Sequence, residues 1–143
     1  MKSILLDTNV LSELMRPEPD QIVKGWFARQ AGTVFYISAI TQAEILLGIA
    51  LLPAGKRRNN LAAAAEAMFK EDFAGRCLPF DDVCTVRFAA IVAGRRRAGF
   101  QMTTEDAQIA AVALSNGFVL ATRNTKDFLH IDDMELQNPW SLE

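Results

Sequence analysis

One histidine, His130, and two cysteines, Cys77 and Cys84, are all that 143 residues offer of those two types. The cysteines lack zinc-ligand spacing and read as small apolar residues of the interior. Cys84 has no histidine near it in sequence to activate a thiolate, and His130 stands beside a short acidic segment as a surface or packing residue. Long hydrophobic runs are missing as well. The longest, residues 45–53, is far shorter than the ~20 residues needed to cross a bilayer. The start, Met1-Lys2-Ser3 followed by three aliphatic residues and Asp7, is too abrupt for a secretory leader, so a soluble, cytoplasmic protein is expected. Neither a phosphate-binding P-loop nor a glycine-rich dinucleotide fingerprint is present. Positive charge is not in surplus: 15 Lys and Arg against 17 Asp and Glu leave a net −2, with a pI near 5.4. That balance excludes coating of nucleic acid by charge alone. A nuclease remains open, because metal ions can supply positive charge at the site.

What is present suffices for one folded domain. Half the residues are hydrophobic and mean hydropathy is +0.11, which excludes global disorder. Charge is uneven. Lys56-Arg57-Arg58 and Arg95-Arg96-Arg97 are compact basic clusters, while residues 127–143 hold five acids and no Lys or Arg. The clusters read either as solvated helix ends or as RNA-backbone contacts. Arg95 to Arg97 also precede Gly99, where cations favour a helix C-terminus.

Hydrophobic periodicity predicts strands at 4–6, 34–37, 77–80 and 119–122, with a short fifth at 134–136. Helices are expected at 10–15, 22–27, 41–52, 61–73, 83–97 and 105–115. Pro17, Pro19 and Pro53 stop the first and third, Asp81 or Asp82 caps the fifth, and Gly117 closes the last. Short apolar strands alternating with helices indicate an α/β domain with a mostly parallel, four- to five-stranded sheet covered on both faces. No internal repeat or linker divides residues 1–143.

Three acids sit where hydrocarbon is expected. Asp7 ends the apolar run Ile4-Leu5-Leu6. Glu44 is followed at +3, +4 and +7 by Leu47, Gly48 and Leu51, and Asp106 at the same offsets by Ile109, Ala110 and Ala113. Those offsets share one helical face, so both acids are expected to point inward. No Lys or Arg interrupts either stripe. A buried carboxylate without a partner costs several kcal/mol, which suggests a hard cation, Mg²⁺ or Mn²⁺. In open parallel sheets, sites form beyond the carboxyl ends of the strands. Asp7 follows the first strand there, Asn124 and Asp127 follow the fourth, and Glu44 and Asp106 lie in the first turns of helices expected to begin at that edge. Clustered carboxylates suit two-metal hydrolysis of a phosphodiester.

The competing reading is helix capping. Thr41-Gln42-Ala43-Glu44 has the form of a capping box, Thr103 to Asp106 has the related T-x-x-D form, and Asp7 can cap the helix after it. Each cap is worth about 1 kcal/mol, but a cap carboxylate can stay in water, whereas these lie along apolar stripes. The two roles can coexist.

Four segments, in order and spanning nearly the whole chain, carry a resemblance. They are Leu5-Leu6-Asp7-Thr8-Asn9-Val10-Leu11-Ser12-Glu13, residues 38–48 around Glu44, residues 104–113 around Asp106, and Ala121-Thr122-Arg123-Asn124-Thr125-Lys126-Asp127-Phe128. The chain resembles PIN-domain proteins of the VapC toxin type, close to their FitB-like branch. The resemblance implies a Mg²⁺- or Mn²⁺-dependent ribonuclease, the toxin half of a toxin–antitoxin pair. It places Asp7, Glu44 and Asp106 on the family's core acids. Asn124 falls where many relatives have Asp, with Asp127 one turn later, so either completes the site. Thr8, Asn9 and Thr122 match polar residues that orient ligands or water, and Glu13 matches the motif but is also readable as an exposed helix acid. A homodimer and a VapB-like antitoxin are implied, with operator DNA bound only through the antitoxin. The antitoxin would fill a hydrophobic groove, for which Trp26, Phe27, Leu11, Leu14 and Met15 are candidates unless they pack the core. An antitoxin arginine displacing metal is the implied inhibition. A catalytically weak PIN-like RNA- or protein-binding module is the alternative, motivated by Asn124. A phosphatase or receiver-like domain also places Asp after strand one, but the former wants Asp where Asn9 stands, and the latter wants an Asp near residues 37–39.

Overall fold

A computed structural model describes residues 2–141. Its centre is β1 (Lys2–Leu6), a run too apolar to lie on a surface. β2 (Thr33–Ser38) and β3 (Cys77–Leu78) lie on one side of β1, and β4 (Val119–Ala121) and β5 (Leu136–Gln137) on the other. The order is β3-β2-β1-β4-β5, and each neighbouring pair is parallel. Leu5 is opposite Tyr36 on one side and Leu120 on the other.

Successive residues of a strand face opposite sides of the sheet, and β1 therefore feeds two cores. Ile4 and Leu6 pack with Val10, Leu11, Trp26, Ile37, Ile45 and Ile49, which come from α1 (Thr8–Leu14), α2 (Gln21–Ala28), β2 and α3 (Ala39–Ala50). Leu5 packs on the other face with Cys84 and Ile91 of α5 (Asp82–Arg97) and with residues 107–113 of α6 (Thr104–Asn116). On the first of these faces α4 (Lys56–Ala67) buries only Ala65 and runs into one π turn, Met68–Asp72. The expected single helix over 61–73 is therefore two pieces, and it starts earlier.

The expected α/β architecture with a five-stranded parallel sheet is the one observed. Three local expectations fail. The capping box at Thr41 does not form: α3 begins three residues sooner, and its cap is Ser38, whose Oγ accepts from the Thr41 N–H at 3.1 Å. Glu44 consequently lies in the second turn. The stripe behind it faces outward, with Leu47 59% and Leu51 75% exposed, while Thr41, Ile45 and Ile49 form the buried face. Trp26 and Leu11 belong to the core and do not line a groove. Leu14 and Phe27 are half-buried against the same core. By contrast, Asp81 caps α5, Thr103 caps α6, and Gly117 closes α6 at φ 69°, a left-handed conformation that favours glycine.

Candidate active site

The strand order reverses between β1 and β4, the position where open parallel sheets form their crevice. Asp7 leaves β1 here, and its backbone N–H bonds the Ala121 carbonyl at 2.9 Å, tying it to the end of β4. Asp7 is 5% exposed. Its Oδ1 accepts from the Thr8 N–H at 2.8 Å, so it caps α1 as well. Its Oδ2 accepts from the Thr122 hydroxyl at 2.7 Å, and Asn9 Nδ2 approaches it at 3.5 Å.

Thr122, fully buried, spends its only hydroxyl proton on Asp7. As an acceptor it receives the Asn124 N–H at 3.1 Å and Asn9 Nδ2 at 3.4 Å. Asn9 Oδ1 in turn takes the Arg123 N–H at 3.3 Å. A parallel chain reaches Glu44. Thr8 Oγ1 donates to Glu44 Oε1 at 2.6 Å, which leaves the 2.9 Å contact with Thr41 to be donated by the Thr41 hydroxyl. Thr41 is fully buried. Its place three residues before Glu44, one turn back on the same face, was the available sequence signal for this role.

The acids also act on one another through charge. Burial, with a smaller push from the charges of Asp106 and Glu44, raises the Asp7 carboxyl from 3.8 to about 6 against hydrogen bonds from Thr122 and Thr8 that favour the anion. Burial also raises the Asp106 carboxyl, with Asp127, Glu44 and Glu105 adding to the effect against a hydrogen bond at Thr103. Asp106 and Asp127 line a common cavity of about 250 Å³ with Gln101, Met102 and Thr103. Among the described residues the two salt bridges, Arg16–Glu13 and Lys70–Glu66, involve none of these four acids.

The PIN domain family pattern matches residues 4–134. The chain belongs to the PIN-domain family. Three relatives cover nearly its whole length. The plasmid stability protein StbB of Pseudomonas syringae pv. tomato is 47% identical over 137 residues, covering 96% of this chain and 98% of that protein. The VapC ribonuclease Y4jK of Sinorhizobium fredii is 41% identical, covering 96% and 97%. Toxin FitB of Neisseria gonorrhoeae is also 41% identical, covering 96% and 98%. The solved structure of FitAB bound to an IR36 DNA fragment aligns with a TM-score of 0.88 at 40% identity, covering 98% of this chain and 97% of that one.

In this PIN domain the remaining site expectations divide. Asn124 is exposed and engages Thr122 through its backbone, whereas Asp127 shares a cavity with Asp106. Lys56 and Arg57 line an open groove of about 830 Å³ together with Thr8 and Glu44, with Met15, Ile45, Ile49, Leu52 and Leu61 among its apolar lining. Arg58 is half-buried outside that lining, and Arg96 and Arg97 are exposed at the end of α5. Arg95 corrects the reading of its cluster as RNA contacts: it is buried, and its guanidinium donates to the Leu129 and Gln101 carbonyls. Cys84, Phe88, Ile91 and Arg95 share the inward stripe of α5, the signal that could have separated Arg95 from its neighbours. Glu13 is buried too. It accepts from the Asp20 N–H at 2.9 Å and pairs with Arg16 at 3.2 Å, pinning the start of α2 to α1.

Proposed function

We propose that this PIN domain is a Mg²⁺- or Mn²⁺-dependent endoribonuclease, the toxin component of a toxin–antitoxin pair, working in the cytoplasm. The observation that carries the reading is the meeting of Asp7, Glu44, Asp106 and Asp127 at one sheet edge without a salt-bridge partner among the described residues. A relative 41% identical is named a ribonuclease and another a toxin, which supports it.

The donor set fits a hard divalent ion. As they stand, no three His, Cys, Asp or Glu side chains among the described residues are grouped closely enough to hold a metal ion. The fit rests on donor chemistry: carboxylate oxygens suit Mg²⁺, which keeps several waters and takes one or two carboxylates, whereas structural zinc takes four tight ligands. Asp7, Glu44 and Asp106 would hold the ion, with Asn124 or Asp127 completing the set. When bound, the ion supplies positive charge to a phosphodiester as negative charge builds on it. Thr122 and Thr8 N–H aim the Asp7 carboxylate, and Thr8, backed by Thr41, aims Glu44. Asp127, which lines a cavity with Asp106, would be the carboxylate that accepts a proton from attacking water.

Lys56 and Arg57, which line the same groove as Glu44, would neutralise RNA phosphates along it. The apolar part of that groove suits a segment of a VapB-like antitoxin, and operator DNA would be bound only through that partner, in keeping with FitAB on DNA. Exposed Leu47 and Leu51 of α3 and Val83 and Val86 of α5 suit a homodimer. No helix among the described residues is long and apolar enough to cross a membrane.

The test is cleavage of RNA with Mg²⁺ or Mn²⁺ by wild type, Asp7→Asn and Asp106→Asn. Loss of at least about 100-fold in both variants is expected, and full-rate cleavage by either one in chelator removes the proposal. The weak-module alternative draws on Asn124 standing where an acid would add charge. It is favoured if calorimetry finds no Mn²⁺ binding by the free protein.

A further inference from the structure

Three consecutive arginines end α5, yet only one turns inward: Arg95 is 3% exposed, while Arg96 and Arg97 are in solvent. Its Nη1 donates to the Leu129 carbonyl at 2.6 Å and its Nη2 to the Gln101 carbonyl at 3.0 Å. The guanidinium also lies 5.2 Å from the centre of the Phe100 ring. The two carbonyls belong to the segments that lead into Asp106 and out of Asp127, the two acids that share a cavity. Gln101 lines it two residues before Thr103, whose hydroxyl accepts the Asp106 N–H at 3.1 Å. Leu129 directly follows the 3₁₀ turn Thr125–Phe128 that carries Asp127.

We infer that Arg95 is a positioning residue for the acidic site, a buried clamp that joins the loop before Asp106 to the segment after Asp127 and sets the spacing of the two carboxylates. The inference rests on the metal site proposed above.

The energetics argue against a role in packing alone. Asp106 and Asp127 line one cavity, so a tie between the segments that carry them fixes how far apart they stand. Arg95 forms no salt bridge among the described residues, and its Nε finds no acceptor there. A buried cation left in that state is costly, and a methionine of similar volume would avoid the cost. The α5 C-terminus and the Phe100 face offset part of it. What methionine cannot do is hold two carbonyls with one rigid fork, and a lysine supplies only a single nitrogen. The segment after Asp127 is itself held firmly. His130, next after Leu129, sits at φ 62° and stacks on the other partner of Arg95, Phe100, with ring centres 4.5 Å apart. A non-glycine residue in that region persists where its surroundings over-determine it.

A double-mutant cycle read by calorimetry, with Mn²⁺ alone as the probe, tests this. Arg95→Lys and Asp127→Asn are each expected to weaken Mn²⁺ binding about 10-fold. If Arg95 acts through Asp127, the double variant falls no further than the worse single one. Losses that multiply to about 100-fold, a folded Arg95→Lys that binds like wild type, or an Asp127→Asn without effect each overturn the clamp. Should Arg95→Lys not fold, Phe100→Ala replaces it in the same cycle. Its ring is 40% exposed, and a loss of about 3-fold is expected, again absent in the Asp127→Asn background. Wild type that binds no Mn²⁺ sinks the metal site and the clamp together. Binding that Asp7→Asn abolishes, beside a multiplicative cycle, sinks the clamp alone.

Discussion

Replacing Asp7 by Asn should stabilise the metal-free protein at neutral pH while destroying its function. The native fold raises the Asp7 carboxyl from 3.8 to about 6, because burial penalises the anion more than Thr122 and Thr8 compensate it, and Asp106 and Glu44 add repulsion. The native state thus binds the Asp7 proton more tightly than the unfolded chain. Between these two values the unfolded chain holds fewer protons, so stability falls as pH rises through the window. The contribution is fully present below about 3.8 and lost above about 6. At 1.36 kcal/mol per pH unit, the loss is about 3 kcal/mol. Asp7 is almost fully buried, so solvent screening trims little from that figure. Asn removes the charge and keeps an acceptor for the Thr8 N–H, but its amide nitrogen cannot accept the Thr122 proton, which offsets about 1–2 kcal/mol of the gain. In chelator at pH 7.5, Asp7→Asn should exceed wild type by about 1–2 kcal/mol in urea unfolding, with the gap closing as pH falls toward 4. Saturating Mn²⁺ reverses the order, since an ion at about 100 times its Kd adds about 2.7 kcal/mol to wild type alone. An Asp7→Asn protein less stable than wild type at pH 7.5 in chelator, or stabilised equally by Mn²⁺, refutes the reasoning.

Thr8→Val strips Glu44 of its 2.6 Å donor and leaves the buried Thr41 hydroxyl without its 2.9 Å partner. Mn²⁺ affinity should drop about 10-fold and stability by about 1–2 kcal/mol, and unchanged calorimetry would exclude the orienting role of Thr8. Glu13→Ala, which frees the Asp20 N–H and Arg16, is expected to cost about 1–3 kcal/mol in urea unfolding with Mn²⁺ affinity intact. Altered metal binding would instead put Glu13 in the site. Gly117→Ala, at φ 69°, should cost about 1 kcal/mol, whereas a gain would mean that α6 ends differently.

Legibility tracked how much of each signal was local. Asp7 at the end of an apolar strand and Asp106 at the head of a buried stripe read correctly because β1 and α6 each bury a continuous run. The facing of Glu44 misled, because α3 is apolar nearly all round: Ile45 and Ile49 are buried while Leu46, Leu47 and Leu51 are exposed. A helix without a polar face does not announce which side meets the sheet. The run Arg95 to Arg97 misled in the opposite way, since charge type was visible but the inward turn of Arg95 depended on the phase set by Ile91. The capping box at Thr41 lost to Ser38, because β2 ends at Ser38 and α3 starts at once.

The order of residues alone determined an α/β domain with a parallel sheet, acids at the ends of its elements, and membership of the PIN family, since alternation, stop signals and motif order are properties of neighbours along the chain. Which carboxylates meet, which hydroxyl protons aim them and which arginine braces them were decided only in three dimensions. The β1–β4 junction brings Asp7 and Thr122, 115 positions apart, to 2.7 Å. Periodicity records direction relative to a helix's own axis, and only packing against the sheet turns that direction into a place.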